Sequence, residues 1–166
     1  MADLKWLDGY SGETLEELIA LADEYRIDSL LAALEEALNQ KVEDLGEHEL
    51  SDEERIVLAV VALEREVSSG GYAQFFANAS GQYTPIIVNS LLLIGCLEAS
   101  NVTSGAINAL GIVDFSPEAI DEALEAENDE RDEQLEECDG LFSSAGEDIS
   151  GQLFDFVRAH QDAIQL

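Results

Sequence analysis

The chain has 166 residues, of which 37 are Asp or Glu and 7 are Lys or Arg, so its formal net charge at pH 7 is -30. This length is typical of one domain, which we place at residues 1–166, and the frequent, periodic apolar residues exclude a disordered acidic tail. Such a charge repels nucleic acid and anionic membranes. No apolar run is long enough to span a membrane, and the start MADLKWLDGY lacks the pattern of a signal peptide. We therefore expect a cytoplasmic protein.

The N-terminal part of the chain has the spacing of two amphipathic helices. In residues 13–25 and 28–45, leucines recur three and four positions apart, which places them on one face of a helix. Ser11 or Gly12 is the predicted N-cap of the first helix. Gly46 is the predicted stop of the second, because glycine readily takes the conformation that ends a helix.

A third helix is predicted to begin at Ser51, since Ser51 and Glu54 have the spacing of a capping box. It is expected to run to about Val67, with Gly70-Gly71 as the turn that ends it.

Both prolines of the chain predict further helix starts. In Thr84-Pro85 and Ser116-Pro117 the hydroxyl residue can cap and the proline can take the first helical position. Another short helix is predicted over 103–112, and a last one over 147–164. No segment is typical of a strand, so the predicted fold class is all-α, a single compact multi-helix domain of about seven or eight helices.

The stretch EREVSSGGYAQFFANASGQYTP differs from its acidic surroundings by its glycines and aromatic residues. Tyr72, Phe75 and Phe76 have one-turn spacing and would lie on one side of a short helix. Aromatic residues in this pattern usually belong to a core, so we predict a buried aromatic corner that sets the angle between two helices.

The same stretch resembles the signature of a bacterial family of small all-helical proteins whose best-known members are DNA mimics. The residues that carry the resemblance are Glu66, Gly70, Gly71, Tyr72, Gln74, Phe75, Phe76, Asn78 and Gly81. The similarity extends over roughly residues 50–160. It implies an acidic helical protein that occupies the DNA-binding surface of a basic partner such as a transcriptional repressor, and hence a part in transcription regulation.

The segment from Glu118 to Asp139 holds twelve carboxylates and one base, Arg131. Read as one helix, it carries an unbroken acidic row about 32 Å long, which is sparser than the phosphates of one DNA strand. Two such rows could match the phosphate density, and a break of the helix near Asn128 is left open. The predicted partner-binding residues are Glu118, Asp121, Glu122, Glu125, Asp129, Glu130, Asp132, Glu133, Glu136, Glu137 and Asp139.

Residues for catalysis or metal binding are sparse. Neither His48 nor His160 lies in a Glu-x-x-His pair, and the chain has no glycine-rich phosphate loop. Cys96 and Cys138 are expected to be free buried thiols, and carboxylates around Cys138 should raise its pKa. We therefore expect no enzyme, no cofactor and no metal.

Together these features predict a DNA mimic that binds a basic DNA-binding protein and blocks its DNA-binding surface, without binding nucleic acid or membrane directly. A homodimer is compatible with the sequence. The first alternative is an acidic helical domain, as in salt-adapted organisms, whose charge serves solubility. The second is an enzyme with a site in the aromatic corner.

Overall fold

The computed structural model describes residues 3–166, and this part of the chain contains eight α-helices and no β-strand. The predicted all-α fold class is thus confirmed. The helices are α1 (Leu15–Ala20), α2 (Ile27–Leu45), α3 (Asp52–Ala77), α4 (Thr84–Leu93), α5 (Leu97–Ala109), α6 (Pro117–Glu125), α7 (Asp129–Ser144) and α8 (Ile149–Ala159). Short 3-10 turns connect several of them.

The chain forms two compact units. The first comprises the chain up to Val61 together with Ile149–Leu166, and the second comprises Ala62–Asp148. One domain over residues 1–166 stays a prediction.

In the first unit α2 packs against α1 and α8, and leucines of α1 and α2 are buried together with the aromatic face of α8. The predicted N-cap of α1 is wrong, because Thr14 takes that place. Thr14 and Glu17 form a capping box in which each side chain accepts a hydrogen bond from the other residue's backbone N–H (3.2 and 2.8 Å). Ser11 instead donates its hydroxyl proton to Glu13 (2.6 Å), and Gly12 lies in the preceding turn with a φ of 100°.

The predicted capping box at the start of α3 is confirmed. Glu54 accepts a hydrogen bond from the Ser51 backbone N–H at 2.9 Å, and Ser51 Oγ accepts one from the Glu54 N–H at 3.1 Å. Glu54 is buried, and its charge is matched by Lys41 of α2, whose Nζ donates to both carboxylate oxygens (2.8 and 3.1 Å). Gly46 ends α2 as predicted.

In the second unit α5 packs against both α4 and α7. Ser116 caps α6 as predicted, accepting a hydrogen bond from the Ala119 N–H at 3.2 Å. The prediction that Thr84 caps α4 is wrong: Thr84 lies inside the helix and donates its hydroxyl proton to the Gly81 carbonyl oxygen at 2.7 Å. The helix predicted over 103–112 begins earlier, at Leu97, where the Glu147 carboxylate accepts hydrogen bonds from the first backbone N–H groups.

Candidate functional site

The acidic segment is divided between two helices, α6 and α7, with a break at Asn128. The backbone of Asn128 is extended, and its side-chain oxygen caps α7 by accepting a hydrogen bond from the Arg131 N–H at 3.0 Å. The sequence predicted a straight acidic row about 32 Å long if the segment were one helix, and the break means that this row does not form. Its members fall into one group on α6 and a second on α7.

Of the predicted partner-binding residues, all but Asp139 are exposed to solvent. We call these ten residues the acidic face: Glu118, Asp121, Glu122 and Glu125 on α6, and Asp129, Glu130, Asp132, Glu133, Glu136 and Glu137 on α7. The opposite side of α7 is buried and carries Arg131, Leu135 and Cys138.

The α7 part of the acidic face carries two rows of charge. Asp129, Glu133 and Glu137 follow one another at a spacing of four residues, and Asp132 and Glu136 form a second row beside them. These positions lie within about 12 Å along the helix axis. Duplex DNA presents roughly seven phosphates over that length, and α7 presents six exposed carboxylates. The two rows of α7 together thus come close to the charge density of duplex DNA, which a single row does not reach.

Arg131, the only base of the segment, is buried behind the acidic face and pairs with one of its members, Asp132. Arg131 is 6% exposed. Its Nη1 donates to the Ala123 carbonyl oxygen at the end of α6, while Nε and Nη2 donate to Asp132 Oδ1 (3.1 and 2.9 Å). The guanidinium therefore closes the junction of α6 and α7 by satisfying a carbonyl that the end of a helix leaves without a partner. As a result, Asp132 is the one carboxylate of the acidic face that this base pairs with, and the other nine have no cation of the segment beside them.

Asp139 has a contact within the fold that separates it from the ten exposed residues. Its Oδ1 accepts a hydrogen bond from the Tyr72 backbone N–H at 2.7 Å, and the side chain is half-buried. Burial raises the pKa of the Asp139 carboxyl, and the nearby Glu136 charge raises it further. Helix α3 is kinked at Gly71, and Tyr72 is the next residue. Asp139 of α7 therefore stabilises this kink.

The predicted helix end at Gly70-Gly71 is a kink. Gly71 has a φ of 79°, the helix breaks there, and it resumes at once to end at Ala77. A side chain at Gly71 would be strained by this φ and would overlap the Asp139 carboxylate.

A hydrogen-bond network spans the kink. Glu66 precedes it, and its Oε2 accepts hydrogen bonds from Gln74 Nε2 (2.7 Å) and Asn78 Nδ2 (2.9 Å), which follow it. The bond from Gln74 is the main cause that lowers the pKa of Glu66. The Gln74 side chain lies over Gly70, where a Cβ would overlap it. The polar members of the motif thus hold the two parts of α3 at a defined angle.

The aromatic residues of the motif are buried, as predicted. Tyr72, Phe75 and Phe76 are at most 2% exposed. The Tyr72 hydroxyl forms a hydrogen bond with Thr103 of α5 at 2.8 Å, and its ring meets Phe142 of α7 edge-on, with centroids 5.9 Å apart. These contacts join α3, α5 and α7, so the motif forms the support on which the acidic helix α7 lies.

Both cysteines are free and buried, as predicted. Burial raises the pKa of Cys96 to about 11. Burial is also the main cause that raises the pKa of Cys138, and the carboxylates of Glu137 and Asp139, which we expected to be the cause, come second. Within residues 3–166 no three His, Cys, Asp or Glu side chains are grouped to hold a metal ion, and none of the helices has the length and apolarity that a membrane span requires.

The fold and the site together define a small all-α protein with an exposed face of carboxylates supported by an aromatic corner. The model of the DMP19-like protein family matches residues 48–160, and the chain belongs to this family, a family of DNA-mimic proteins. The matched range includes both the aromatic corner and the acidic face. Neither the curated proteins nor the solved structures contain a match to the chain.

Proposed function

We propose that this protein is a DNA mimic whose acidic face binds the basic DNA-binding surface of a partner protein, such as a transcriptional repressor, and blocks it. The observation that carries the proposal is the charge distribution on α6 and α7. Ten carboxylates are exposed there, the only base is buried, and the α7 part approaches the charge density of duplex DNA. Membership of the DMP19-like family supports the same function.

The chemistry of recognition follows from the likeness between carboxylates and phosphates as acceptors. An Arg guanidinium can donate two parallel hydrogen bonds to either group, and a Lys ammonium pairs with either as a point charge. A surface of one sign also accelerates encounter with a basic partner. Because these charges are exposed, salt should weaken the complex, with a screening length of about 10 Å at 0.1 M.

Self-repulsion within α7 favours binding. The acidic face has six like-charged pairs on α7 at spacings of three or four residues, and each destabilises a helix by about 0.2–0.5 kcal/mol at low salt. The repulsion is thus on the order of 1–3 kcal/mol. Cations of a partner placed between the carboxylates would relieve it, so part of the binding free energy comes from strain already present in the free protein.

The test uses two variants with the same change in net charge. In the α7-reversed variant Glu133, Glu136 and Glu137 are changed to Lys, which spares Asp132 and its bond to Arg131. In the control variant Glu24, Glu43 and Glu47, which are exposed in the first unit, are changed to Lys.

A DNA-binding partner is first captured from a lysate of the source organism on the immobilised wild-type protein and identified. The assay then measures displacement of labelled duplex DNA from that partner. We expect the wild type and the control variant to displace the duplex and the α7-reversed variant to fail. Equal displacement by both variants would show that α7 is not the contact surface. Retention of no DNA-binding protein at physiological salt would contradict mimicry and favour the alternative that the charge serves solubility.

A further inference from the structure

An open groove lies beside the acidic face, between α6 and the segment Gly111–Asp114 that precedes it. It has a volume of about 520 Å³. We propose that this groove receives an apolar side chain of the basic partner, flanked on the partner by Lys or Arg. The proposal rests on the proposed function and goes beyond it, because it states that the partner is held by an apolar anchor as well as by charge.

The walls of the groove are apolar and formed by small or exposed side chains. One wall includes Ala119 and Ala123 of α6 and Ala126, which directly follows the helix, and their short side chains leave room. On the opposite side Val113 is 97% exposed, so it makes almost no contact within the fold. A cavity of roughly 150 Å³ can hold a benzene ring. The groove is therefore large enough for a bulky apolar side chain and the methylene stem of a neighbouring Lys or Arg.

The carboxylates at the edge of the groove indicate which kind of partner can bind in it. Asp114 and Glu122 line the same groove, and Glu122 is also part of the acidic face. An apolar side chain that enters here brings its neighbours close to these carboxylates, so those neighbours must be cationic to avoid desolvating unpaired charges. A second copy of this chain would bring further carboxylates to the rim. A partner of opposite charge fits both the apolar walls and the acidic rim.

The groove has a counterpart in DNA. Proteins that read the major groove contact phosphates with cations and contact the methyl group of thymine with apolar side chains. In this protein the acidic face supplies the charges, and the alanine methyl groups with Val113 supply an apolar surface beside them. A DNA-reading element could thus use both kinds of contact on this protein.

The test uses a pair of synthetic helical peptides of Lys, Arg and Ala as probes. One peptide carries a single leucine with lysines one turn away on each side, and the other carries glutamine in its place. Both are titrated by calorimetry against the full-length wild type, the α7-reversed variant and Val113→Ser. Leu45→Ser serves as the control, since Leu45 is also exposed but lies in the first unit.

We expect the leucine peptide to bind the wild type about tenfold more tightly than the glutamine peptide, as partial burial of a leucine implies. Val113→Ser should abolish this difference, Leu45→Ser should keep it, and methyl resonances of Val113 and Ala119 should shift with the leucine peptide only. Equal binding of the two peptides to the wild type, or a difference that Val113→Ser leaves intact, would overturn the inference.

Two further outcomes are informative. A dimer of the free protein that Val113→Ser dissociates, seen by sedimentation, would overturn the inference by making a second copy the occupant. Failure of the proposed function has a different signature: the α7-reversed variant would bind both peptides as tightly as the wild type, whether or not leucine is preferred.

Discussion

The contact between Asp139 and the kink in α3 predicts losses of different size for two substitutions at one position. Asp139→Ala removes the acceptor for the Tyr72 N–H, the first amide after the kink. An unsatisfied polar group in a half-buried place costs about 1–3 kcal/mol. Asp139→Asn keeps an oxygen acceptor in the same place and removes a half-buried charge that Glu136 repels. We therefore expect the free energy of unfolding to fall by about 1–3 kcal/mol in Asp139→Ala and by less than about 1 kcal/mol in Asp139→Asn.

The pH dependence of the stability of the wild type and of Asp139→Asn gives an independent check. Burial raises the pKa of Asp139 in the folded state above its ordinary 3.8. The folded state thus binds this proton more tightly than the unfolded state, so the stability that this group adds is present at low pH and is lost as pH rises through the folded pKa. In urea unfolding at a series of pH values, the free energy of unfolding of Asp139→Asn should increase relative to that of the wild type as pH rises above 3.8. If Asp139→Asn is as unstable as Asp139→Ala at neutral pH, the charge is what supports the kink, and the argument from the acceptor is refuted.

Three further predictions concern the core, the buried ion pair and the surface charge. Phe75→Ala should lower the free energy of unfolding by about 3–5 kcal/mol in urea unfolding, because Phe75 is fully buried, and a loss below about 1 kcal/mol would contradict its place in the core. Lys41→Met should cost about 3–5 kcal/mol at pH 7 because it leaves Glu54 charged and buried, and Lys41→Met with Glu54→Gln should recover most of that loss. In calorimetry, the melting temperature of the wild type should rise with NaCl more steeply than that of the α7-reversed variant, and equal slopes would show that α7 is not a main source of self-repulsion.

The elements that could be predicted from the sequence are those whose determinants lie within one turn of each other. Apolar spacing predicted most of the helices, Ser51 was predicted as a cap from its spacing to Glu54, and Ser116 was predicted as a cap from the proline that follows it. The burial of Tyr72 and Phe75 followed from aromatic spacing in the same way. Such local signals are read directly from the chain because the helix itself brings these residues together.

Contacts between distant residues could not be predicted. The start of α5 is capped by Glu147, whose carboxylate accepts hydrogen bonds from the backbone N–H groups of Glu98 and Ala99 (3.2 and 2.7 Å), and no residue near Leu97 indicates this. Likewise, nothing in the sequence distinguishes Asp139 from its exposed neighbours, because its partner Tyr72 is 67 residues away.

The candidate site was predicted by composition and refined by the structure. Composition indicated the acidic face, but it did not indicate that Arg131 is buried on the opposite side of α7. A signal for it existed, since Arg131 continues the apolar row of Leu135 and Cys138, which are buried. The groove carried no such signal, because Val113 lies in a loop, where spacing does not indicate a face.

The position of the charges on α7 limits what they cost the fold, and this matters for the test of function. Asp129, Glu130 and Asp132 lie in the first turn of α7, where the helix dipole stabilises each carboxylate by about 0.3–1 kcal/mol. Together with the bond from Arg131 to Asp132, this offsets much of the repulsion of about 1–3 kcal/mol along the helix. The α7-reversed variant changes only residues beyond that turn, so it relieves repulsion and keeps the stabilising charges. Its free energy of unfolding should therefore equal or exceed that of the wild type, and loss of duplex displacement by this variant would report on the binding surface rather than on unfolding.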